Sequence, residues 1–318
     1  ESEYLQVPFR TGPARVFKQA GYQARFLYGG NPGWREINKF AVIQGFDTVE
    51  GESEMAEGLG GLKDRHDWGV YDEDVFDYVF KTVSTAKTPQ FVLTMTTTNH
   101  PPYQLPVTYM VPKLEMPEEL KSRLIVDSEL AQKRFATYRY STDKLAAFLE
   151  RIKNSELKDK VIVAVTGDHT FWIVNFTEQE HLQKGAVPFY LYLPKAIQKK
   201  MPVDAFASQA DIIPTLYNLA LSEHEYYSLG RDLFAPTGDF AVNNFNLVVD
   251  RTGGVLVAGK SVNDKFYRWQ GRYEKLLGAD VDPHKEALSL KYKSLMGILD
   301  YYFMREKKGT TPYADPSR

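Results

Sequence analysis

Residues 160–169 read Lys-Val-Ile-Val-Ala-Val-Thr-Gly-Asp-His. An unbroken apolar and largely β-branched run of this length is what a strand covered on both faces needs, as in a parallel sheet. Gly167 ends it and lets the backbone turn sharply, so that Asp168 and His169 stand at the strand's carboxyl end. Ligands of open α/β sheets collect at that end. Upstream, Ala131, Phe135, Tyr138, Thr142, Leu145, Leu149 and Ile152 alternate spacings of four and three. That spacing predicts one apolar stripe on a helix of about six turns. Downstream, residues 187–193 (VPFYLYL) read as a second strand. Residues 208–221 read as an apolar helix behind Ser208, an N-cap with Asp211 three positions on.

The pattern extends to the N-terminal side. Residues 13–20 form a short helix with Pro13 in its first turn and Gly21 after its end. Residues 22–28 form a strand that runs into Gly29-Gly30-Asn31-Pro32-Gly33. A short strand is expected at 41–43, a surface loop over 50–67, a helix over 72–83 and a buried strand over 91–96. The last leads into residues 97–103 (TTNHPPY), where two prolines exclude regular structure. Alternating strands and helices up to about residue 240 argue a doubly wound α/β domain over 1–240. The pattern then changes. Residues 247–249 and 255–257 flank a Thr252-Gly253-Gly254 turn as a hairpin, and residues 264–270 add a strand. Leu288, Tyr292, Leu295, Leu299 and Tyr302 mark a last amphipathic helix. Residues 241–318 are therefore a small hairpin-and-helix subdomain.

Composition removes several function classes. The 39 basic and 41 acidic residues leave a net charge of −2, so a nucleic-acid partner bound through bulk positive charge is not expected. Cysteine is absent, which excludes disulfides, thiol catalysis and Cys-ligated zinc. No run of about 18 apolar residues is present. The chain opens on Glu1 with neither a signal peptide nor a tag, and is read as a fragment whose N-terminal part is missing.

Three strand-end loops carry chemistry. Asp168 and His169 offer an oxygen and a nitrogen donor to one divalent cation, or form a plain turn with a capping Asp and a surface His. His100, in the loop after the strand at 91–96, can bond a phosphate or sulfate oxygen or act as acid or base. The plainer alternative is a loop histidine held by Asn99 and Tyr103. Arg35, after the first strand, can grip an anion, and Trp34 can pack on a glycerol or sugar, or else tuck into the core. His100 and Arg35 follow strands expected to be neighbours in one sheet, and are expected to approach the same anion.

The order of six segments is distinctive: FLYGG (26–30), WGVYDEDVF (68–76), TMTTTNHPPY (94–103), VAVTGDH (163–169), VPFYLYLP (187–194), and SQADIIPTL (208–216) with GRDLF (230–234). It resembles the sulfatase-like branch of the alkaline phosphatase superfamily over about residues 10–235. Within that branch it is most similar to the catalytic domains of lipoteichoic acid synthases and phosphoglycerol transferases. The resemblance implies an alkaline-phosphatase/sulfatase-like α/β fold. It implies metal-dependent transfer or hydrolysis of a phosphoglycerol-type headgroup, with a phospholipid or glycan as substrate. It also implies an extracytoplasmic domain held to the bacterial membrane by an anchor upstream. Asp168 and His169 match ligands of one metal ion, Mn²⁺ first, with Zn²⁺ or Mg²⁺ as alternatives. His100 matches a substrate-binding histidine. Trp34 and Arg35 lie where some members bind the headgroup, and Tyr28 stands where some carry a histidine.

The family's acidic metal ligand and threonine nucleophile have no match here, since Thr11-Gly12-Pro13 aligns with the start of the first helix. Both are expected upstream of Glu1, so this chain is not expected to turn over substrate by itself. Two alternatives stand beside transfer: sulfuric ester hydrolysis, and a degenerate sulfatase-fold domain that only binds.

Overall fold

A computed structural model describes residues 4–62, 64–198, 205–235, 240–258, 263–271, 275–279 and 282–309. The chain divides into two compact units, Glu1–Lys160 and Val161–Arg318.

The first unit opens with α1 (Pro13–Gln19) and β1 (Gln23–Tyr28). After a loop come α2 (Ile37–Ile43), β2 (Thr48–Glu50), α3 (Glu52–Leu59), α4 (Asp72–Thr85) and β3 (Gln90–Met95). A short α5 (Glu118–Ser122) precedes the long α6 (Ser128–Lys153). The strands form a parallel sheet in the order β2-β1-β3, so β1 is central. Its register pairs Tyr28 with Met95, which brings the loops after β1 and β3 out level with each other. Leu27, Met55, Val70 and Val75 form a cluster of fully buried side chains around this sheet. Burial of each such side chain contributes about 1.5–3 kcal/mol.

Three details of this unit differ from the sequence pattern. Residues 41–43 end α2 and are not a strand. The segment 50–67 carries α3, whose Met55 reaches the core. On α6 the buried line runs through Ala131, Ala136, Thr137, Tyr140, Phe148 and Ile152, whereas Tyr138 is exposed. The cause is α4: Phe76 stacks on Phe148 with centroids 5.3 Å apart, and Tyr71 meets Tyr140 edge-on at 6.1 Å. These contacts rotate the helix away from the face with the most apolar residues.

The second unit contains β4 (Val163–Thr166), α7 (His181–Gly185), β5 (Phe189–Tyr192) and α8 (Ile212–Ala220). It continues with β6 (Phe240–Val242), β7 (Leu247–Asp250), β8 (Gly253–Leu256), β9 (Lys265–Gln270), β10 (Lys275–Ala279) and α9 (His284–Lys307). The partner of β4 is β5, and the pair is antiparallel, not the parallel arrangement its apolar run implies. Val163, Ala164 and Val165 are half-buried and Thr166 is exposed. The last five strands form one antiparallel sheet in the order β10-β9-β8-β7-β6, with the expected hairpin at its centre. Alternate residues sort to its two faces, as the period of two requires. Val248, Val255 and Phe266 pack with Leu288 and Tyr292 of α9, while Leu247, Val249, Tyr267 and Leu276 pack with Phe206 and Leu182. The C-terminal sheet is thus built partly on residues that precede 240.

Asp211 ties this unit together. Its carboxylate is buried and accepts hydrogen bonds from the backbone N–H of Ser208 (2.8 Å) and of Arg231 (2.9 Å). Ser208 Oγ in turn accepts from the N–H of Val242 in β6 (2.8 Å). Asp211→Ala leaves two amides without acceptors and is expected to cost about 3 kcal/mol of stability. Chemical denaturation measures the loss, and hydrogen exchange at the Arg231 amide is expected to accelerate.

Candidate functional site

The site in the first unit is built on the carboxyl edge of β1 and β3. Three consecutive residues after β3, Thr97 to Asn99, each have a different anchor. The Thr97 hydroxyl lies 3.2 Å from His66 Nε2. Thr98 and Asp72 bond reciprocally: the Thr98 N–H donates to the Asp72 carboxylate (3.1 Å), and the Asp72 N–H donates to the Thr98 hydroxyl (2.9 Å). The Asn99 side-chain oxygen accepts from the Thr137 hydroxyl of α6 (2.9 Å). His100 is then left exposed at the tip, with its ring 4.2 Å from that of Trp68. Its Nδ1 lies 3.1 Å from the Pro101 carbonyl oxygen, an acceptor only, so Nδ1 carries the proton and Nε2 faces outward.

The loop after β1 supplies a second wall. Asn31 Oδ1 accepts from the Gly33 N–H (2.8 Å), and the Asn31 carbonyl from the Trp34 N–H (3.0 Å). Arg35 and Glu36 both adopt left-handed backbone conformations, φ 49° and 58°, which non-glycine residues rarely take. Such strain of about 1–3 kcal/mol per residue persists where the surroundings over-determine the conformation, and it clusters at ligand clamps. Trp34 is exposed and not tucked into the core. It meets Trp68 edge-on at 5.5 Å, and the Arg35 guanidinium lies 4.9 Å from the Trp34 ring centroid.

Arg35, Trp34, Trp68 and His100 thus follow one another in a row, each group against the next, with the two indoles between the guanidinium and the imidazole. Trp68 sits in a turn closed by two backbone bonds between His66 and Gly69, each 3.0 Å. The turn lies directly on β1: the Val70 N–H donates to the Gly29 carbonyl (2.8 Å). Gly69 has φ +136°, and a Cβ there would lie 2.0 Å from the Gly29 carbonyl oxygen, so only glycine fits. Trp68, His66 and Asp72 are given no role in the sequence reading: His66 falls in 50–67, taken as a surface loop, and Trp68 and Asp72 enter only within the WGVYDEDVF segment. The available signal is a Trp-Gly pair directly before a helix start.

Asp168 and His169 stand in the second unit, after β4. Both are exposed. Asp168 Oδ1 accepts from the His169 N–H (2.9 Å), which leaves Oδ2 free, 3.6 Å from His169 Nε2. His169 Nδ1 lies 2.9 Å from the Thr170 carbonyl oxygen and so donates to it. The Nε2 lone pair and a carboxylate oxygen thus lie 3.6 Å apart, and a carbonyl fixes the imidazole tautomer, as it does for metal-ligating histidines. Trp172 stacks on the His169 ring at 4.5 Å and limits its rotation. The donor pair fits a divalent cation, although among the described residues no three His, Asp or Glu side chains converge as a cation site. Among the described residues, no helix is long and apolar enough to cross a membrane.

Comparisons with known proteins agree with this architecture. The chain is 23% identical to lipoteichoic acid synthase 1 of Bacillus subtilis (strain 168), a match that covers 94% of this chain and 49% of that protein. It is 28% identical to phosphoglycerol transferase I of Escherichia coli (strain 55989 / EAEC) across 53% of this chain and 21% of that one. The chain thus spans about half or less of the length of these relatives. Among solved structures, the lipoteichoic acid synthase LtaP from Listeria monocytogenes superimposes with a TM-score of 0.77 at 16% identity, covering 95% of this chain and 76% of that one. An alkaline phosphatase superfamily protein from Vibrio parahaemolyticus gives 0.71 at 22% identity, covering 95% and 72%. The α/β core with its C-terminal antiparallel sheet and helix is the fold of that superfamily. The Sulfatase family model matches residues 13–222, more than half of the chain, and the protein belongs to the sulfatase family.

Proposed function

We propose that this chain is part of an enzyme that transfers or hydrolyses a phosphoglycerol-type ester, and that Trp34, Arg35, Trp68 and His100 form its headgroup wall. The observation that carries this reading is the row Arg35–Trp34–Trp68–His100 at the carboxyl edge of a parallel sheet. The Arg35 guanidinium at one end of the row and the His100 imidazole at the other each suit an anionic oxygen. The indole faces between them suit the C–H surface of a glycerol or sugar. His100 Nε2, turned outward, can donate to a phosphate oxygen when protonated or accept from a hydroxyl when neutral.

In the second unit, Asp168 and His169 would hold one divalent cation, Mn²⁺ first, with Zn²⁺ or Mg²⁺ as alternatives. When bound, such an ion supplies Lewis-acid polarisation of a phosphoryl oxygen and a lowered pKa for an attacking group. This chain's own residues fix the headgroup, keep Nε2 of His100 directed at it and hold the tautomer of His169. A threonine nucleophile and a further acidic ligand are expected from sequence upstream of Glu1. On this reading residues 1–240 belong to the catalytic part and 241–318 to its subdomain. The substrate is a phospholipid or glycan of the bacterial envelope, and the setting extracytoplasmic, with a membrane anchor upstream.

A second reading is favoured by the sparse cation site: a sulfatase-fold domain that binds the ester without turning it over, or one that acts on sulfate esters. Only two donors are assigned to the metal, where a catalytic site ordinarily has three or four protein ligands.

Two measurements test these assignments. In calorimetric titration with Mn²⁺ and with Zn²⁺, the 318-residue chain is expected to bind weakly, and Asp168→Ala and His169→Ala are each expected to abolish the heat. Unchanged binding in both variants would overturn the assignment. In the second, a fluorescent phosphatidylglycerol, a p-nitrophenyl phosphodiester and p-nitrophenyl sulfate are offered to the chain and to one extended upstream, with Mn²⁺ present. Phosphodiester turnover by the extended chain alone is expected, and His100→Ala is expected to lower kcat/KM by at least about tenfold. Sulfate turnover favours the sulfatase reading, and turnover of none of the three favours the binding domain.

A further inference from the structure

His66 is buried, with 8% of its surface exposed, and its imidazole is bonded on both sides. Nδ1 accepts the Trp68 N–H at 3.3 Å. Nε2 lies 3.0 Å from the Val70 carbonyl oxygen, which can only accept, and 3.2 Å from the Thr97 hydroxyl. One tautomer satisfies all of these contacts: Nδ1 bare and Nε2 protonated. The ring therefore spans the turn that carries Trp68 and also reaches the loop that carries His100. The turn is also tied by backbone bonds and by the pairing of Asp67 with Gln104.

We infer that His66 is a positioning residue of the headgroup wall: its neutral imidazole sets where the Trp68 indole stands between His100 and Trp34. The inference rests on the reading of that wall given above and deepens it. It follows from what each bond holds. The Nδ1 bond fixes the peptide of Trp68 itself, and the Nε2 side fixes the residue after Gly69 and the loop three residues before His100. A change at His66 moves the indole without removing any group that would touch the headgroup.

The surroundings favour the neutral ring. Burial pushes its pKa below the usual histidine value, and the nearby His100 pushes the same way. The Val70 carbonyl and the carboxylates of Asp72 and Asp67 oppose them with less effect. The Tyr71 ring, 5.0 Å away, covers the imidazole without charging it. Because the folded pKa is depressed, protonation is unfavourable in the folded state. The neutral ring's bonds hold above that pKa and are lost as the pH falls through it. Protonation puts a proton on Nδ1 and sets it against the Trp68 N–H, donor against donor.

The probe is sn-glycerol 1-phosphate, with binding followed by tryptophan emission and by NMR. Asparagine can place its side-chain oxygen where Nδ1 stands, so His66→Asn retains the acceptor for the Trp68 N–H, and His66→Ala does not. Expected in the wild type are a ¹⁵N spectrum with His66 in the Nε2–H form and glycerol phosphate binding that weakens in His100→Ala. His66→Ala is expected to weaken binding about tenfold with the fold retained by circular dichroism. His66→Asn is expected to recover most of that loss. If His100→Ala leaves binding unchanged, the headgroup wall itself is wrong. If His100→Ala weakens binding while both His66 variants bind like the wild type, the positioning role alone is wrong. If His66→Ala does not fold, His66→Asn and the wild-type tautomer decide: an Nδ1–H tautomer, or a folded His66→Asn that binds no better than His100→Ala, overturns the inference.

Discussion

The register between β1 and β3 is the constraint on which the first unit's chemistry depends. Parallel strands point the same way, and pairing Tyr28 with Met95 makes both run out at one level. The loops that follow must then share one edge, whatever their sequences. The turn that carries Trp68 joins them by extending this edge with one bond, Val70 N–H to the Gly29 carbonyl. Val70 also belongs to the buried cluster with Leu27, Met55 and Val75. The turn that carries Trp68 is thus fixed at its exit by hydrophobic burial and by a strand-end carbonyl. Its backbone fits so close to β1 that Gly69 has no room for a Cβ.

Rigidity in this edge comes from polar bonds distributed one per residue. Thr97, Thr98 and Asn99 are held by His66, Asp72 and Thr137, and the last of these lies on α6. The buried Asp72 carboxylate is acceptable because it accepts the Thr98 N–H and stands at the first position of α4, where the helix dipole favours negative charge. What remains free is the outward nitrogen of His100, the Arg35 guanidinium and the indole surfaces between them. A site assembled in this way requires little ordering when a ligand arrives, which is the main entropic cost of binding a small polar group.

Much of this was legible in sequence, and the rest was hidden for identifiable reasons. Strands at 22–28 and 91–96 follow from β-branched and aromatic runs bounded by breakers, and their neighbourhood follows from α/β alternation. The loops at Asn31 and His100 are marked by glycine and proline. The partner of β4 is not legible, because an apolar run specifies burial and not the direction of its neighbour. The buried face of α6 is not legible either. Tyr138 and Tyr140 are equally aromatic, and the contacts of Phe76 with Phe148 and of Tyr71 with Tyr140 select Tyr140 for the interior. His66 and Asp72 look like solvated polar residues in a polar stretch. Their burial is a consequence of bonds to Thr97 and Thr98, residues some 26 to 31 positions away that no local pattern connects.

Three histidines show how a bonding partner converts one side chain into different tools. His100 and His169 both give the Nδ1 proton to the carbonyl of the next residue, Pro101 and Thr170. Each therefore presents Nε2 to whatever lies outside the loop. The neighbours then decide what that nitrogen faces. Beside His169 a carboxylate oxygen lies 3.6 Å away, an arrangement that attracts positive charge. Beside His100 stands an indole, with a second indole and a guanidinium beyond it. His66 reverses the pattern: Nδ1 accepts, Nε2 donates, and both are consumed inside the fold. A ring with neither nitrogen available contributes no chemistry of its own, but it can hold a neighbour's ring in place. The difference between a site residue and its support is therefore which imidazole nitrogen the backbone leaves unused.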